Sequence, residues 1–231
     1  MSRNRTTKLW TGIALMASFI VVLVIFFMPL FDGHNGLNYL DNLYNSISKG
    51  SAYYIPKVQH LVEERGSQPV TLNLKFADAG SAEAVEPLFV LAGARTSLEG
   101  ATLKVEGDLQ AIFSACLVDA DAAYHNRNAE LEQRYPGGSA RGVLFGWWKG
   151  LLEMERDLKR QKLFGAADLT HTVQAKTVEC AYNYHGIEPQ SIKDRWAIVL
   201  FSLVFYVIYT VWYGYAIMYI FEGLGFELSA H

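Results

Sequence analysis

Cysteine is scarce in this chain. There are two among 231 residues, Cys116 and Cys180, and neither belongs to a CxxC or CxxCH spacing. Thioredoxin-like redox chemistry and c-type haem attachment therefore have no anchor in the sequence. HExxH, GxSxG and the Gly-Lys-Ser/Thr ending of a phosphate loop are also missing, so none of the short motifs that carry hydrolytic or nucleotide chemistry is in place. No tract is rich in Lys and Arg, and the net charge is -3, which argues against strong nucleic-acid binding. There is no internal repeat and no low-complexity tract.

Charge is thin overall, at 19% against 51% apolar residues, and it vanishes in two places. Residues 9–31 and 196–221 contain no Asp, Glu, Lys or Arg, and no His or Cys either. Each run exceeds the roughly 20 apolar residues that cross a bilayer. A freely soluble protein is not expected, and two spans are too few for a polytopic transporter. The missing His and carboxylates remove the usual signatures of intramembrane haem ligation and proton transfer.

The first run follows Arg3, Arg5 and Lys8 and so resembles the start of a secretory signal. It is longer than the 7–15 residues of a signal core, and Met28-Pro29-Leu30-Phe31-Asp32 is a poor cleavage site. An uncleaved anchor is expected. The basic residues ahead of it, with none in Asp32-Gly33-His34, place the N-terminus in the cytoplasm by the positive-inside rule. Lys193 and Arg195 on the outer side oppose this mildly. The expected plan is a cytoplasmic tail (1–8), a first transmembrane helix (9–31), an extracytoplasmic domain (32–195), a second transmembrane helix (196–222) and a cytoplasmic tail (223–231). The location is the inner (cytoplasmic) membrane, N-in/C-in, with the central domain in the periplasm or extracellular space.

Trp10 and Trp196 fall at the ends of their spans, where an amphipathic ring prefers the headgroup zone. Tyr206, Tyr209, Thr210 and Tyr213 share one face of the second span. A hydroxyl in hydrocarbon without a partner is costly, so this face should pack on another helix. Thr210 with Gly214, and Ala14 with Ser18, are small-xxx-small pairs that let helices approach. The other helix is either the chain's own first span or one from another subunit.

The central segment mixes periods. Leu37, Leu40, Leu43, Tyr44 and Ile47 follow helical spacing after Asn35 as N-cap, and a second helix runs from Ser51 to Gly66 with Pro56 in its first turn. Val70, Leu72, Leu74 and Phe76 alternate as a strand, as do Leu103 and Val105. Between them Ser81 caps a short helix to Leu91 that Pro87 should kink or shorten. This order predicts a small strand-helix-strand crossover with parallel pairing, whose strand edges a neighbouring chain could use. Asp108 caps a helix with Cys116 on its buried stripe, ending near Tyr135-Pro136-Gly137-Gly138. Ser139 caps the next, with Leu144, Trp147, Leu151 and Leu158 inside, and its charged second half from Glu153 to Lys162 reads as a solvated face with a Glu155–Lys159 pair. A last helix runs from Ala166 to Tyr184. The fold class is thus an α+β membrane protein: two transmembrane helices flanking a mainly helical external domain.

Possible sites are few. Cys116 and Cys180 are either a disulfide in an oxidising compartment or two separate buried thiols. Asp121 with His125, and Asp168 with His171, have ligand-like spacings but read as exposed pairs. His34 and His185 lie just outside the two spans, and their placement motivates a shared ligand or metal there. His60 and His231 belong to no pattern. Adjacent Trp147 and Trp148 cannot share a helix face, so one is core and the other is a contact for a partner or the membrane surface. No catalytic residue, metal or cofactor is assigned. The expected role is a non-catalytic structural or accessory subunit of a membrane assembly, as a homo-oligomer or with other membrane subunits and the lipid bilayer. The other reading is a ligand-sensing module that signals through a partner, since only about ten residues follow the second span.

Overall fold

The computed structural model describes residues 3–31 and 33–226. In chain order its elements are α1 (Arg3–Phe27), α2 (Gly36–Lys49), α3 (Ile55–Arg65), β1 (Pro69–Lys75), α4 (Ala79–Leu91), β2 (Arg95–Glu99) and β3 (Thr102–Asp108). These are followed by α5 (Leu109–Tyr124), α6 (Asn128–Arg134), α7 (Ala140–Arg160), α8 (Phe164–Val173), a π-helical turn (Gln174–Val178), α9 (Glu179–Tyr184) and α10 (Ile192–Leu224). The chain divides into two compact bodies, one of Met1–Gly50 with Pro189–His231 and one of Ser51–Glu188.

In the first body α1 and α10 lie against each other, and both are long and apolar enough to cross a membrane. Glycine sets where their backbones touch. A Cβ on Gly12 would fall 2.7 Å from the Ile220 nitrogen, and one on Gly223 would fall 2.6 Å from the Leu9 Cα. Farther along, Phe19 stacks on Tyr209 with ring centroids 4.4 Å apart. Trp212 Nε1 donates to the Leu15 carbonyl at 3.1 Å, and Lys8 pairs with Glu222 at 2.7 Å. α2 begins as its sequence predicts, with the Asn35 side chain accepting from the Asn38 N–H at 2.8 Å. It joins α10 through a 2.6 Å bond between the Tyr44 and Ser202 hydroxyls. Phe26, Phe31, Tyr39, Phe201 and Phe205 line a wholly apolar cavity of about 260 Å³ among these three helices.

The second body is built on a three-stranded antiparallel sheet in the order β1-β3-β2. This corrects the expected parallel pair. β1 and β2 are the strands joined by the helix α4, and β3 turns back from β2 at Gly100 (φ +59°) to fill the gap between them. The sequence hides β2 because Arg-Thr-Ser-Leu-Glu offers one large apolar side chain, so no period-2 run is visible. β1 and β3 show their alternation directly: Leu72, Leu74, Leu103 and Val105 are completely buried.

Three further local readings change. The N-cap of α4 is Asp78, which accepts from the Ser81 N–H at 2.7 Å, rather than Ser81 itself. Pro87 lies inside α4 without ending it. The helix expected from Asp108 to Tyr135 breaks into α5 and α6 at Asn126, which takes φ +57°, a conformation asparagine tolerates better than most residues. The Asn126 amide then fixes the segment after α9, accepting from the Gly186 N–H at 2.7 Å and donating to the Ile187 carbonyl and the Glu188 carboxylate.

The charged end of α7 is not only a solvated face. Asp157 is buried and accepts from the Asn73 N–H of β1 at 2.9 Å. Arg160 and Gln161 donate to the Asn73 and Thr71 carbonyls. Together they cover the outer edge of β1 with side chains, one way proteins keep an edge strand from recruiting another chain. The Glu155–Lys159 pair forms as expected.

Candidate functional site

The two tryptophans divide as their adjacency requires. Trp147 is completely buried, against Phe89 at 5.6 Å between ring centroids. An indole N–H taken from water needs an acceptor, and Trp147 Nε1 finds Asp119 Oδ2 at 2.7 Å. The same buried carboxylate accepts from Tyr135 Oη at 2.6 Å and from Arg134. Asp119 therefore ties α5, α6 and α7 together. Burial, followed by the Asp119 hydrogen bond, drives the Tyr135 phenol far above its ordinary pKa.

Trp148 is half-buried and faces a groove. The groove lies between α7 and the π-turn with α9, has a volume of about 260 Å³, and is lined by Leu144, Phe145, Trp148, Val178, Glu179, Tyr182 and Asn183. Leu144 and Val178 are buried beneath it, while Phe145 and Tyr182 are exposed. Phe145 and Trp148 stand one helical turn apart with ring planes 4° from parallel. Trp148 Nε1 donates to Glu179 Oε1 at 2.8 Å. The backbone carbonyl of Trp148 accepts from the Gln174 side chain at 3.0 Å. Gln174 opens the π-turn and Glu179 follows it, so the wide turn grips Trp148 at both its carbonyl and its indole. π-turns inside helices concentrate at functional sites. This one is invisible in the sequence, where residues 166–184 read as a plain helix.

In the span face singled out by the sequence, Tyr209 and Tyr213 meet α1 through Phe19. Tyr206, Thr210 and Gly214 do not take part. Tyr206 is 67% exposed, the Thr210 hydroxyl bonds back to its own helix at the Tyr206 carbonyl, and a Cβ on Gly214 would meet nothing within 4 Å. Ala14 and Ser18 are exposed as well, and the Ser18 hydroxyl bonds to the Ala14 and Leu15 carbonyls. The contacting small residues are instead Gly12, Ala216 and Gly223. Helical spacing fixes which residues share a face, whereas the partner fixes which face is used.

Cys116 and Cys180 are two free thiols, not a disulfide. Cys116 is fully buried and Cys180 half-buried, with its thiol toward the Ala52 carbonyl at 3.1 Å. Burial pushes both thiols up, away from the thiolate form that reacts.

Of the histidines, His125 Nδ1 is 3.2 Å from Asp121. Asp121 also takes Arg127 and the Tyr53 hydroxyl. Partial burial, followed by that hydrogen bond, pushes Tyr53 up to about 12. His171 pairs with Glu155 at 3.4 Å rather than with Asp168. His60 lies beside Glu64 at 3.3 Å, and His185 Nε2 bonds Asn128 at 2.8 Å. His34 is held in a short bridge with Phe31, and His231 lies outside the described residues. Among the described residues no group of three or more His, Cys, Asp or Glu is placed to hold a metal ion.

No protein-family model matches the chain, and neither a curated protein nor a solved structure matches it significantly.

Proposed function

We propose that the chain is a non-catalytic two-span membrane protein, acting as a structural or accessory subunit of a membrane assembly. In this reading α1 and α10 cross the inner (cytoplasmic) membrane with both termini in the cytoplasm, and residues 32–195 lie in the periplasm or extracellular space. The observation that carries it is how little of the two apolar helices is covered. Only 11% and 6% of their most apolar windows are buried. A helix in the core of a soluble protein would be covered by its neighbours. Ile20, Val21, Val24, Leu203, Val204, Val207 and Ile208 are all exposed, a surface that calls for lipid or for other helices.

The assembly part rests on the small and hydroxyl-bearing surface that the helix pair leaves unused: Ala14 and Ser18 on α1, and Tyr206, Thr210 and Gly214 on α10. In hydrocarbon such a surface gains by close helix approach and by hydrogen bonding across helices. The partner is a further copy of this chain or another membrane subunit.

Two measurements test this. A membrane-impermeant maleimide should label Ser97→Cys in intact cells, and Thr6→Cys only after permeabilisation. Detergent-solubilised protein should migrate as a discrete complex larger than one chain, and pulldown from native membranes should recover its subunits. Ser97→Cys labelled only after lysis would overturn the orientation, and a monodisperse monomer that pulls down nothing would overturn the assembly. The groove beside Trp148 favours a second reading, a ligand-sensing module that signals through a partner protein.

A further inference from the structure

We propose that the groove between α7 and α9 binds an organic cation of the trimethylammonium class. The inference concerns the second body alone and does not depend on whether the helices cross a membrane or assemble.

The groove has the parts that cation recognition requires. Trp148, Phe145 and Tyr182 present three aromatic rings around a cavity of about 260 Å³. The negative face of an aromatic ring attracts a cation, most strongly for Trp, and several rings around one site form the cage that selects quaternary ammonium groups. Glu179 supplies the only formal charge on the lining. Its Oε1 is held by Trp148 Nε1 at 2.8 Å, which fixes the carboxylate beside the indole. The buried Leu144 and Val178 make an apolar floor that suits methyl groups better than a strongly hydrated ammonium. An engineered apolar cavity of about 150 Å³ admits benzene, so the volume suffices for a trimethylammonium head.

The rings already attract cations of this chain. Lys149 Nζ lies 4.8 Å from the Phe145 centroid, and the Arg141 guanidinium lies 5.6 Å from that of Tyr182. Neither residue lines the groove. Their charge at its margin disfavours a bare cation and favours one that carries an anionic group. A choline phosphate ester should therefore bind more tightly than choline. The π-turn supplies the rigidity. Gln174 holds the Trp148 carbonyl and Glu179 holds its indole, so the cage is set before any ligand arrives.

The test uses the full chain in choline-free phosphatidylglycerol nanodiscs, titrated by calorimetry with choline, phosphocholine, tetramethylammonium and the neutral isostere 3,3-dimethylbutan-1-ol. The three quaternary ammonium compounds should bind saturably, phosphocholine most tightly, and the neutral alcohol should not. Glu179→Gln should weaken binding about tenfold, through loss of one charge–charge attraction near the protein surface, and Trp148→Leu, which removes the ring that attracts cations most strongly, should abolish it. Arg141→Gln should remove the advantage of phosphocholine over choline. Should Trp148→Leu fail to fold, the exposed Glu179→Gln still decides the matter, with an unchanged unfolding temperature as its control. Co-sedimentation with phosphatidylcholine vesicles against phosphatidylglycerol vesicles distinguishes a lipid headgroup from a free solute. The proposal is overturned if the neutral alcohol binds as well as choline, if no cation binds saturably, or if Glu179→Gln binds as the parent does.

Discussion

Asp119 and Trp147, 28 positions apart, meet inside the second body through a 2.7 Å hydrogen bond from the indole Nε1 to the carboxylate. Tyr135 and Arg134 complete the set of donors around the same carboxylate. A buried charge of this kind is tolerated because three donors, one of them a guanidinium, answer its two oxygens, and removing it leaves those donors without an acceptor.

Asp119→Ala is therefore expected to destabilise the protein by about 3–5 kcal/mol, the usual cost of breaking a buried charged pair from one side. Tyr135→Phe removes a single neutral donor and should cost about 1 kcal/mol. Urea unfolding of the full chain in detergent, followed by tryptophan fluorescence, measures both. Equal effects for the two variants would show that Asp119 is not the hub.

The glycines of the helix pair give a contrast in opposite directions. Gly223→Leu places a side chain against the Leu9 backbone and should separate α1 from α10, abolishing disulfide cross-linking between cysteines introduced on the two helices. Gly214→Leu adds a side chain at a position where a Cβ meets nothing within 4 Å beyond its own helix backbone. It should leave that cross-link intact while reducing the size of the solubilised complex. A Gly214→Leu variant of undiminished size would place the assembly surface elsewhere.

Asp157 guards the β1 edge, accepting from Asn73, Arg160 and Gln161. Asp157→Ala should cost about 2 kcal/mol, the loss of a charged acceptor plus an unsatisfied strand N–H. It should also make the chain aggregate on heating, because the β1 edge is then open to another strand. Light scattering during a thermal ramp reads both onset temperature and growth.

The phenol of Tyr53 titrates at about 12 in the folded protein, against an ordinary value of 10.0. A raised folded value means that the stabilisation is complete below about pH 10 and is lost as pH rises through about 12, since the unfolded state releases its proton first. Stability should thus fall across pH 10–12, and Tyr53→Phe should flatten part of that fall. Parallel slopes for the two proteins would show that neither burial nor the Asp121 bond holds the Tyr53 phenol up in solution.

The thiols make a chemical prediction. The intact protein should count as two free sulfhydryls by mass after alkylation without reductant, with Cys180 modified slowly and Cys116 only on unfolding. Their raised pKa values and burial both oppose thiolate attack. A mass two protons lighter, with no alkylation, would establish the disulfide instead.

Much of this was open to reading in the residues themselves. The two uncharged runs, the caps at Asn35, Asp108 and Ser139, and the alternation of Val70 to Leu74 all express local rules: composition, hydrogen bonding within a few residues, and side-chain period. These rules marked out most of the elements and divided Trp147 from Trp148. They also put Trp147 on the inner stripe with Leu144, Leu151 and Leu158, and all four are completely buried.

What local rules cannot supply is pairing. The strand β2 takes its place only because β3 needs a second neighbour, and its own five residues show no apolar run. Asp157 looked like one solvated charge among many until the Asn73 N–H came within 2.9 Å of it. Glu179 joined Trp148 across 31 positions because a π-turn shifted the helix beyond what a 3.6-residue period anticipates. The sequence by itself determined two hydrocarbon-length helices and a mixed domain between them. The tertiary structure alone decided which surfaces meet and which stay open, because that choice depends on contacts between residues far apart in the chain, where neither spacing nor propensity carries information.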